Sequence, residues 1–112
     1  MPRNMSFRHT VEQMRNKTKT VTRRLGWDHL KVGDVVMACV KCQGLKPGEK
    51  LERLGRIRIT DTRREPLADI DYHDCVREGF PEMQPLEFVE MFCGHMKCEY
   101  GVTVNRIEFE HI

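Results

Sequence analysis

The segment Asn16-Lys-Thr-Lys-Thr-Val-Thr-Arg-Arg24 combines closely spaced cations with β-branched residues. β-Branched side chains favour extended backbone, so the part from Thr18 onward predicts a strand. Side chains alternate across a strand, which directs Thr22 and Arg24 to one face and Val21 to the other. The segment therefore presents hydroxyl and cationic groups along one side of a predicted strand.

No acidic residue occurs between Met14 and Asp28. The cations of this stretch are Arg15, Lys17, Lys19, Arg23 and Arg24. Like charges at this spacing repel one another, so we expect an anion or an acidic partner to compensate them, with phosphate as the obvious candidate. Residues 74–92 are acidic by contrast, and they provide the opposite charge elsewhere in the chain.

The composition is that of a single globular domain. Of the 112 residues, 39% are hydrophobic and 32% are charged, which excludes an extended disordered chain. The net charge is only +2, so the field of the whole molecule is too weak to drive nucleic-acid binding by itself. No apolar stretch approaches the ~18 residues of a membrane span and no secretory signal is visible, so we expect a cytoplasmic protein.

An amphipathic helix is predicted before the basic segment. Ser6 is a suitable N-cap, and Phe7, Val11 and Met14 recur at helical spacing to form one apolar stripe. The helix is expected to end near Asn16, so that the strand follows it directly.

Three further strands are predicted from hydrophobic patterns. Residues 35–40 are almost continuously apolar and indicate a buried strand, whereas residues 54–60 alternate as a half-solvated strand requires. In residues 102–109 the apolar positions change parity part-way along. A β-bulge is therefore expected near Asn105 or Arg106.

Two helices are predicted between the last two strands. Asp69 or Asp71 is expected to cap a short helix that ends at Gly79, and Pro85 is expected at the first position of a longer helix. The buried face of the longer helix is predicted to consist of Leu86, Val89 and Phe92 or Cys93. The order of the elements, without a repeated βαβ unit, predicts an α+β protein built on a small, mostly antiparallel β-barrel with flanking helices.

The basic segment also contains the spacing Lys-x-x-Thr-x-Arg, formed by Lys19, Thr22 and Arg24. It resembles the signature Gly-x-Lys-x-x-Thr-x-Arg of the ASCH domain, a PUA-like β-barrel family in which this motif follows the first helix. Further stretches match the family in the same order: Leu30-Lys-Val-Gly-Asp34, Glu78-Gly-Phe80, Pro85-x-Glu-Phe88 and Val104-x-Arg-Ile-x-Phe109. The resemblance implies that residues 1–112 form a single ASCH domain of the small bacterial or phage type.

The resemblance implies a chemistry as well, because small members of the family include amidohydrolases that deacetylate N4-acetylcytidine and others described as RNA-cleaving enzymes. Matched residue by residue, Lys19 takes the place of the catalytic lysine, Thr22 that of the threonine nucleophile and Glu78 that of the acidic partner. Lys17 replaces the glycine of the signature. We therefore expect the turn before Lys19 to be made by Asn16 in a left-handed conformation.

The chemistry of these residue types is consistent with such roles. A threonine hydroxyl needs a base to act as a nucleophile, and the amine of Lys19 serves only when it is neutral. Partial burial and the charge of Arg24 lower the pKa of such an amine, whereas an adjacent carboxylate raises it. We therefore expect Glu78 to orient the site or to shuttle a proton rather than to form a tight ion pair with Lys19. Arg24 is expected to bind a carbonyl, a phosphate or a developing oxyanion.

The cysteines raise the question of a metal site. Cys39-x-x-Cys42 and Cys93-Gly-His95-x-x-Cys98 have spacings that occur in zinc sites. Cys39 lies in a predicted strand, however, where residues three apart point to opposite faces, which is contrary to a zinc knuckle. The odd number of cysteines argues against a bridged scaffold. We therefore expect reduced, mostly buried thiols, and neither a metal nor another cofactor.

Three functions remain open from the sequence. The first is an amidohydrolase acting on an N4-acylated cytidine or a related modified nucleoside, with Lys19, Thr22 and Glu78 at its centre. The second is a non-catalytic RNA-binding module, and the third is a ribonuclease that uses the same cleft. The expected partner is thus a modified nucleoside or RNA, with no membrane and no obligatory protein partner.

Several residues are expected to contact the substrate or RNA. They are Lys17, Arg23, Arg24, Trp27 and Phe80. The cations would contact phosphate, and the two aromatic rings would stack on a base. For Trp27, packing back on the barrel is the alternative to stacking.

Overall fold

Five strands and three helices make up the fold of residues 3–112, which a computed structural model describes. The strands are β1 (Arg3–Ser6), β2 (Val21–Arg24), β3 (Val35–Cys39), β4 (Arg53–Pro66) and β5 (Thr103–His111), and the helices are α1 (Val11–Arg15), α2 (Tyr72–Arg77) and α3 (Pro85–Met96). A short 3₁₀ turn, Leu67–Asp69, lies between β4 and α2. None of the helices within residues 3–112 has both the length and the apolar character that a membrane crossing requires.

The strands form one curled sheet in the order β1-β3-β4-β5-β2. β1 pairs with β3 in parallel, and the other three pairings are antiparallel. The sheet is a half-barrel whose two edges are β1 and β2. The prediction of a small, mostly antiparallel α+β fold with flanking helices is confirmed.

Apolar side chains pack on both faces of this sheet. The first core contains Met5, Phe7, Met14, Ile57, Ile59, Ile107 and Phe109. The second core, which α2 and α3 help to form, contains Leu67, Cys75, Phe80, Phe88, Phe92 and Val104. β5 contributes to both cores because Val104 and Ile107 lie an odd number of residues apart and so point to opposite faces.

The bulge predicted in β5 near Asn105 is wrong. The change of parity between Val104 and Ile107 arises because each residue packs into a different core. The irregularity lies instead in the neighbouring strand β4, where the register shifts between Ile59 and Asp61. A sequence pattern that predicts a bulge therefore also fits a regular strand covered on both faces.

The segment before α1 also differs from the prediction. It forms β1 and pairs with β3, and the helix begins only at Val11 rather than at Ser6. Met5 and Phe7 are both buried, so their alternation reflects a strand and not a helical stripe. The predicted end of the helix near Asn16 is confirmed.

Both predicted C-terminal helices are present. Asp71 caps α2 by accepting a hydrogen bond from the backbone N–H of Asp74 at 2.8 Å, and Pro85 begins α3. The prediction that Leu86 is buried is wrong, because its side chain is 59% exposed and faces away from the core. The buried stripe of α3 consists of Phe88, Val89, Phe92 and Cys93.

Gly79 makes the turn that follows α2. A Cβ at this position would lie 2.6 Å from Cγ of Gln13, and its φ of 100° is strained for any residue with a side chain. We predict that Gly79→Ala lowers the free energy of unfolding by about 1–3 kcal/mol in urea denaturation. Gly94 lies in the exposed part of α3 with open space around it, so the control Gly94→Ala should stabilise the protein by about 0.5–1 kcal/mol. Equal stabilities of the two variants would contradict the assigned turn.

Candidate active site

A cavity of about 500 Å³ opens between the two edges of the sheet. Residues of β1 and β2 line it, and α3 contributes one wall. The lining includes the predicted site residues Lys19, Thr22, Arg23, Arg24, Trp27, Glu78 and Phe80. Lys17 is exposed and is not part of the lining. The structure thus brings together the three predicted catalytic residues and all but one of the predicted contacts.

Lys17 makes the turn that leads into β2. Its φ of 63° is left-handed, whereas the φ of Asn16 is −87°, so the expectation that Asn16 takes this conformation is wrong. Asn16 supports the turn in another way, because its side-chain oxygen accepts hydrogen bonds from the N–H and the hydroxyl of Thr18. The left-handed backbone at Lys17 explains physically why glycine suits this position in the related signature.

A backbone hydrogen bond joins the start of β2 to the end of α2. The N–H of Thr20 donates to the carbonyl of Arg77 at 2.8 Å. Lys19 precedes Thr20 and Glu78 follows Arg77, so this single contact brings the two side chains close together although they are far apart in sequence.

Lys19 and Glu78 form a buried ion pair in the wall of the cavity. Nζ of Lys19 donates to Oε1 of Glu78 at 2.6 Å and to the backbone carbonyl of Glu78 at 2.8 Å. Each side chain is only 3% exposed. This direct contact corrects the expectation that Glu78 would not form a tight ion pair with Lys19. The geometry satisfies two of the three donors of the ammonium group.

The pKa of Lys19 is lowered from its ordinary value, chiefly because burial removes the amine from water. Glu78 opposes this shift, whereas the positive charges of Arg24 and Arg23 add to it. Glu78 is also bonded to Arg23, so its negative charge is shared between two cations. The environment therefore favours the neutral amine more than water does.

Arg23 lies behind this pair and is fully buried. Its guanidinium donates to Oε2 of Glu78 at 3.2 Å, to Oε2 of Glu65 at 2.8 Å and to Oδ2 of Asp74. These three carboxylates bind both terminal nitrogens of the guanidinium, whereas its buried Nε has no hydrogen-bond partner among the described residues. The side chain has no exposed surface. We therefore assign Arg23 the role of positioning Glu78, although it also lines the cavity.

Asp74 and Arg106 extend this network to β5, and sequence reasoning missed both. Asp74 accepts from Nε and Nη2 of Arg106 at 2.7 and 2.9 Å, and from Arg77 at 2.9 Å. Burial alone would raise the pKa of Asp74, but the hydrogen bonds from Arg106, Arg23 and Arg77 outweigh burial and hold that pKa well below its usual range. Arg106 was part of a matching stretch, yet nothing in the sequence identified its partner.

Arg24 spans the gap between the two sheet edges. Its Nη2 donates to the backbone carbonyl of Ser6 at 2.7 Å, its Nε donates to the hydroxyl oxygen of Thr22 at 3.1 Å, and its guanidinium lies over the ring of Phe7 at 4.7 Å. Burial lowers the pKa of Arg24 to about 10, against the opposing effects of Glu78 and Cys42. Arg24 remains a cation without a carboxylate partner in the described part of the chain, so its charge is available to an anion in the cavity.

The two predicted aromatic contacts line the cavity from different cores. Trp27 packs partly against the first core, and the guanidinium of Arg3 lies 4.2 Å from the centre of its ring. Phe80 belongs to the second core and lies 6.1 Å from the ring of Phe88. Trp27 therefore combines packing on the barrel with a face toward the cavity.

All five cysteines are free thiols in the structure. Sγ of Cys98 lies 3.7 Å from Sγ of Cys93, and burial raises the pKa of Cys39 to about 11. Among residues 3–112, no three His, Cys, Asp or Glu side chains converge in a way that could hold a metal ion.

No family model matches the sequence, and a search of curated proteins also finds no match. Solved structures do share the fold. An ASCH domain from Lactobacillus crispatus JV V101 has a TM-score of 0.67 and 12% identity, over 96% of this chain and 77% of that one. The chain has an ASCH-like fold. A protein of Enterococcus faecalis V583 assigned to the family DUF984 has a TM-score of 0.68 and 15% identity, over 100% of this chain and 80% of that one.

The ASCH-like fold also occurs in the hypothetical protein PH0355, which has a TM-score of 0.67 and 18% identity, over 100% of both chains. At these identities the likeness extends to the fold alone. The function has to be argued from the site itself.

Asp74 is predicted to be the most sensitive carboxylate behind the site. Asp74→Asn leaves the buried guanidinium groups of Arg23 and Arg106 without their shared charge, so we expect the free energy of unfolding to fall by about 3 kcal/mol in urea denaturation. Asp69→Asn is the control, because Asp69 is exposed and lies outside the network, and it should change stability by less than about 0.5 kcal/mol.

The pH dependence of stability provides a second readout of Asp74. The pKa of Asp74 is lowered in the folded state, so the carboxylate contributes fully to the free energy of unfolding above the ordinary value of 3.8. This contribution is lost progressively as the pH falls below that value. The acid limb of the wild-type stability profile should therefore be flatter in Asp74→Asn. An unchanged acid limb would contradict the network.

Proposed function

We propose that the protein is a small hydrolase that acts on a modified nucleoside, cleaving the amide of an N4-acylated cytidine. The observation that carries this proposal is the buried pair of Lys19 and Glu78 in the same cavity as the hydroxyl of Thr22. The cavity volume of about 500 Å³ is within the range typical of sites for small molecules. The resemblance of the motif residues to those of N4-acetylcytidine amidohydrolases supports the choice of substrate.

In the proposed reaction Thr22 attacks the acyl carbon. Lys19, as the neutral amine, accepts the hydroxyl proton while Oγ1 of Thr22 bonds to the acyl carbon. The resulting ammonium then donates this proton to N4 of the cytidine as the amide C–N bond breaks. Cytidine leaves, and water then hydrolyses the acyl ester on Thr22 to release the carboxylic acid. The lowered pKa of Lys19 supports the role of base.

Glu78 and Arg24 support the two charged stages of this reaction. Glu78 accepts from Nζ of Lys19 and so stabilises the ammonium that forms when Thr22 loses its proton. Arg24 already donates to Oγ1 of Thr22, and its positive charge has no carboxylate partner among the described residues. Arg24 can therefore stabilise the oxyanion that forms on the acyl carbon when Oγ1 attacks it. Arg23 holds Glu78 from behind and takes no part in proton transfer.

The direct test is incubation of the purified protein with N4-acetylcytidine and measurement of cytidine and acetate by chromatography. We expect turnover by the wild type and a loss of on the order of 10²–10⁴ in kcat for Lys19→Ala. Thr22→Val removes the hydroxyl at nearly constant volume and should abolish turnover, whereas Thr22→Ser retains a hydroxyl and should keep part of it.

Matched controls separate loss of chemistry from loss of folding. Lys31 is exposed and lies outside the cavity, so Lys31→Ala should retain wild-type kcat. Each variant is compared by thermal unfolding. Turnover by folded Lys19→Ala at the wild-type rate would exclude Lys19 as the base, and an inactive wild type would contradict the proposed reaction.

A second candidate is RNA binding without catalysis, and the positive charge of the cavity lining favours it as the alternative. If the wild type hydrolyses no acylated cytidine but retards RNA on a gel with a steep salt dependence, this candidate replaces the hydrolase. The same gel shows whether RNA is cleaved, which separates a binding module from a ribonuclease.

A further inference from the structure

The lining of the cavity carries much more positive than negative charge. Its cations are Arg8, Lys19, Arg23, Arg24 and Lys41, and its one carboxylate is that of Glu78. Glu78 is already bonded to Lys19 and Arg23. The remaining cations of the lining therefore have no carboxylate inside the cavity to compensate them.

Two of these cations form an outer rim, which we define as Arg8 and Lys41. Arg8 is exposed and makes no ion pair with any carboxylate of residues 3–112. Lys41 has a single distant carboxylate, Glu49, at 3.8 Å. Arg8 is thus free to turn toward a ligand in the cavity, and Lys41 can do so by giving up its long contact with Glu49.

The sheet topology explains why these two cations share the rim. β1 and β3 run in parallel, with Ser6 opposite Cys39, and the N–H of Phe7 continues the pairing by donating to the carbonyl of Cys39 at 2.8 Å. The segments that follow β1 and β3 therefore leave the sheet in the same direction, side by side. Arg8 lies two residues after Ser6 in one segment, and Lys41 lies two residues after Cys39 in the other.

A pair of stacked imidazoles lies beside this rim. The rings of His9 and His95 are 3.9 Å apart with an interplanar angle of 12°, and both residues line the cavity. Burial, followed by the effects of His95 and Arg8, lowers the pKa of His9, which favours the neutral form of this imidazole.

We propose that the rim of Arg8 and Lys41 binds a phosphate monoester, so that the enzyme prefers an acylated cytidine nucleotide to the free nucleoside. This inference takes the cytosine part of the substrate from the proposed function. Phosphate binding at the rim does not depend on whether the amide is hydrolysed. A guanidinium and an ammonium are typical phosphate ligands, and Arg8 and Lys41 line the same cavity as Lys19 and Glu78. A single phosphate suits a cavity of about 500 Å³ better than a long polynucleotide does.

The test measures equilibrium binding of unreactive ligands, so it does not depend on turnover. Cytidine, cytidine 5′-monophosphate and cytidine 3′-monophosphate are titrated into the wild type by calorimetry at low salt. We expect at least one monophosphate to bind roughly tenfold or more tightly than cytidine, with an advantage that falls as salt rises. The comparison of the two isomers identifies the end of the ribose that faces the rim.

Two double variants, each of which removes two positive charges, separate the effect of the rim from that of charge elsewhere on the surface. Arg8→Gln/Lys41→Gln should abolish the advantage of the monophosphate while leaving the affinity for cytidine unchanged. Lys31→Gln/Arg56→Gln removes two exposed cations outside the cavity and should retain the advantage. Equal affinities of the wild type for cytidine and both monophosphates, or no measurable binding of any of them, would overturn the phosphate site.

Hydrolysis assays distinguish failure of this inference from failure of the proposed function. A preference for the monophosphate that depends on the rim, without any turnover of N4-acetylcytidine or of its 5′- and 3′-monophosphates, would retain the phosphate site and reject the hydrolase. Turnover of N4-acetylcytidine and of its 5′- and 3′-monophosphates with equal kcat/KM would retain the hydrolase and reject the phosphate site.

Discussion

The buried ion pair of Lys19 and Glu78 is the contact on which the candidate site depends. Burying two charges costs several kcal/mol for each ion unless every one has good partners, and here the compensation continues behind the pair. Glu78 is held by Arg23, Arg23 by Asp74, and Asp74 by Arg106 of β5. The network therefore links β2, α2 and β5, and the elements that stabilise the fold also hold the functional groups in place.

The curl of the sheet creates the space in which these groups act. β1 and β2 are its two edges, and Arg24 joins them by donating to the carbonyl of Ser6. The cavity opens at this join, so the side chain that connects the edges also lines the cavity. Because the ion pair and the hydroxyl of Thr22 line the same cavity, one pocket combines a hydroxyl group, an amine of lowered pKa and the guanidinium of Arg24.

Local patterns predicted the parts of the fold that depend on local forces. The alternation around β4, the capping residue Asp71 and the helix start at Pro85 are set by backbone preferences and by one-sided burial. The start of α1 could not be predicted in this way, because Phe7 fits both a helical stripe and a strand, and only pairing with β3 decides between them. Lys19, Thr22 and Glu78 were chosen from the resemblance of their motifs to those of the ASCH family, whereas the partnership of Asp74 with Arg106 depends on how α2 packs against β5.

Burial and the neighbouring arginines make the amine of Lys19 easier to deprotonate, even though Glu78 lies against it. NMR titration of the ¹³Cε signal of Lys19 measures this directly, with Lys19→Arg used to assign the signal. We expect a folded-state midpoint below the ordinary value of 10.5. A midpoint at or above 10.5 would contradict it, because Glu78 would then hold Lys19 as an ammonium that cannot act as a base.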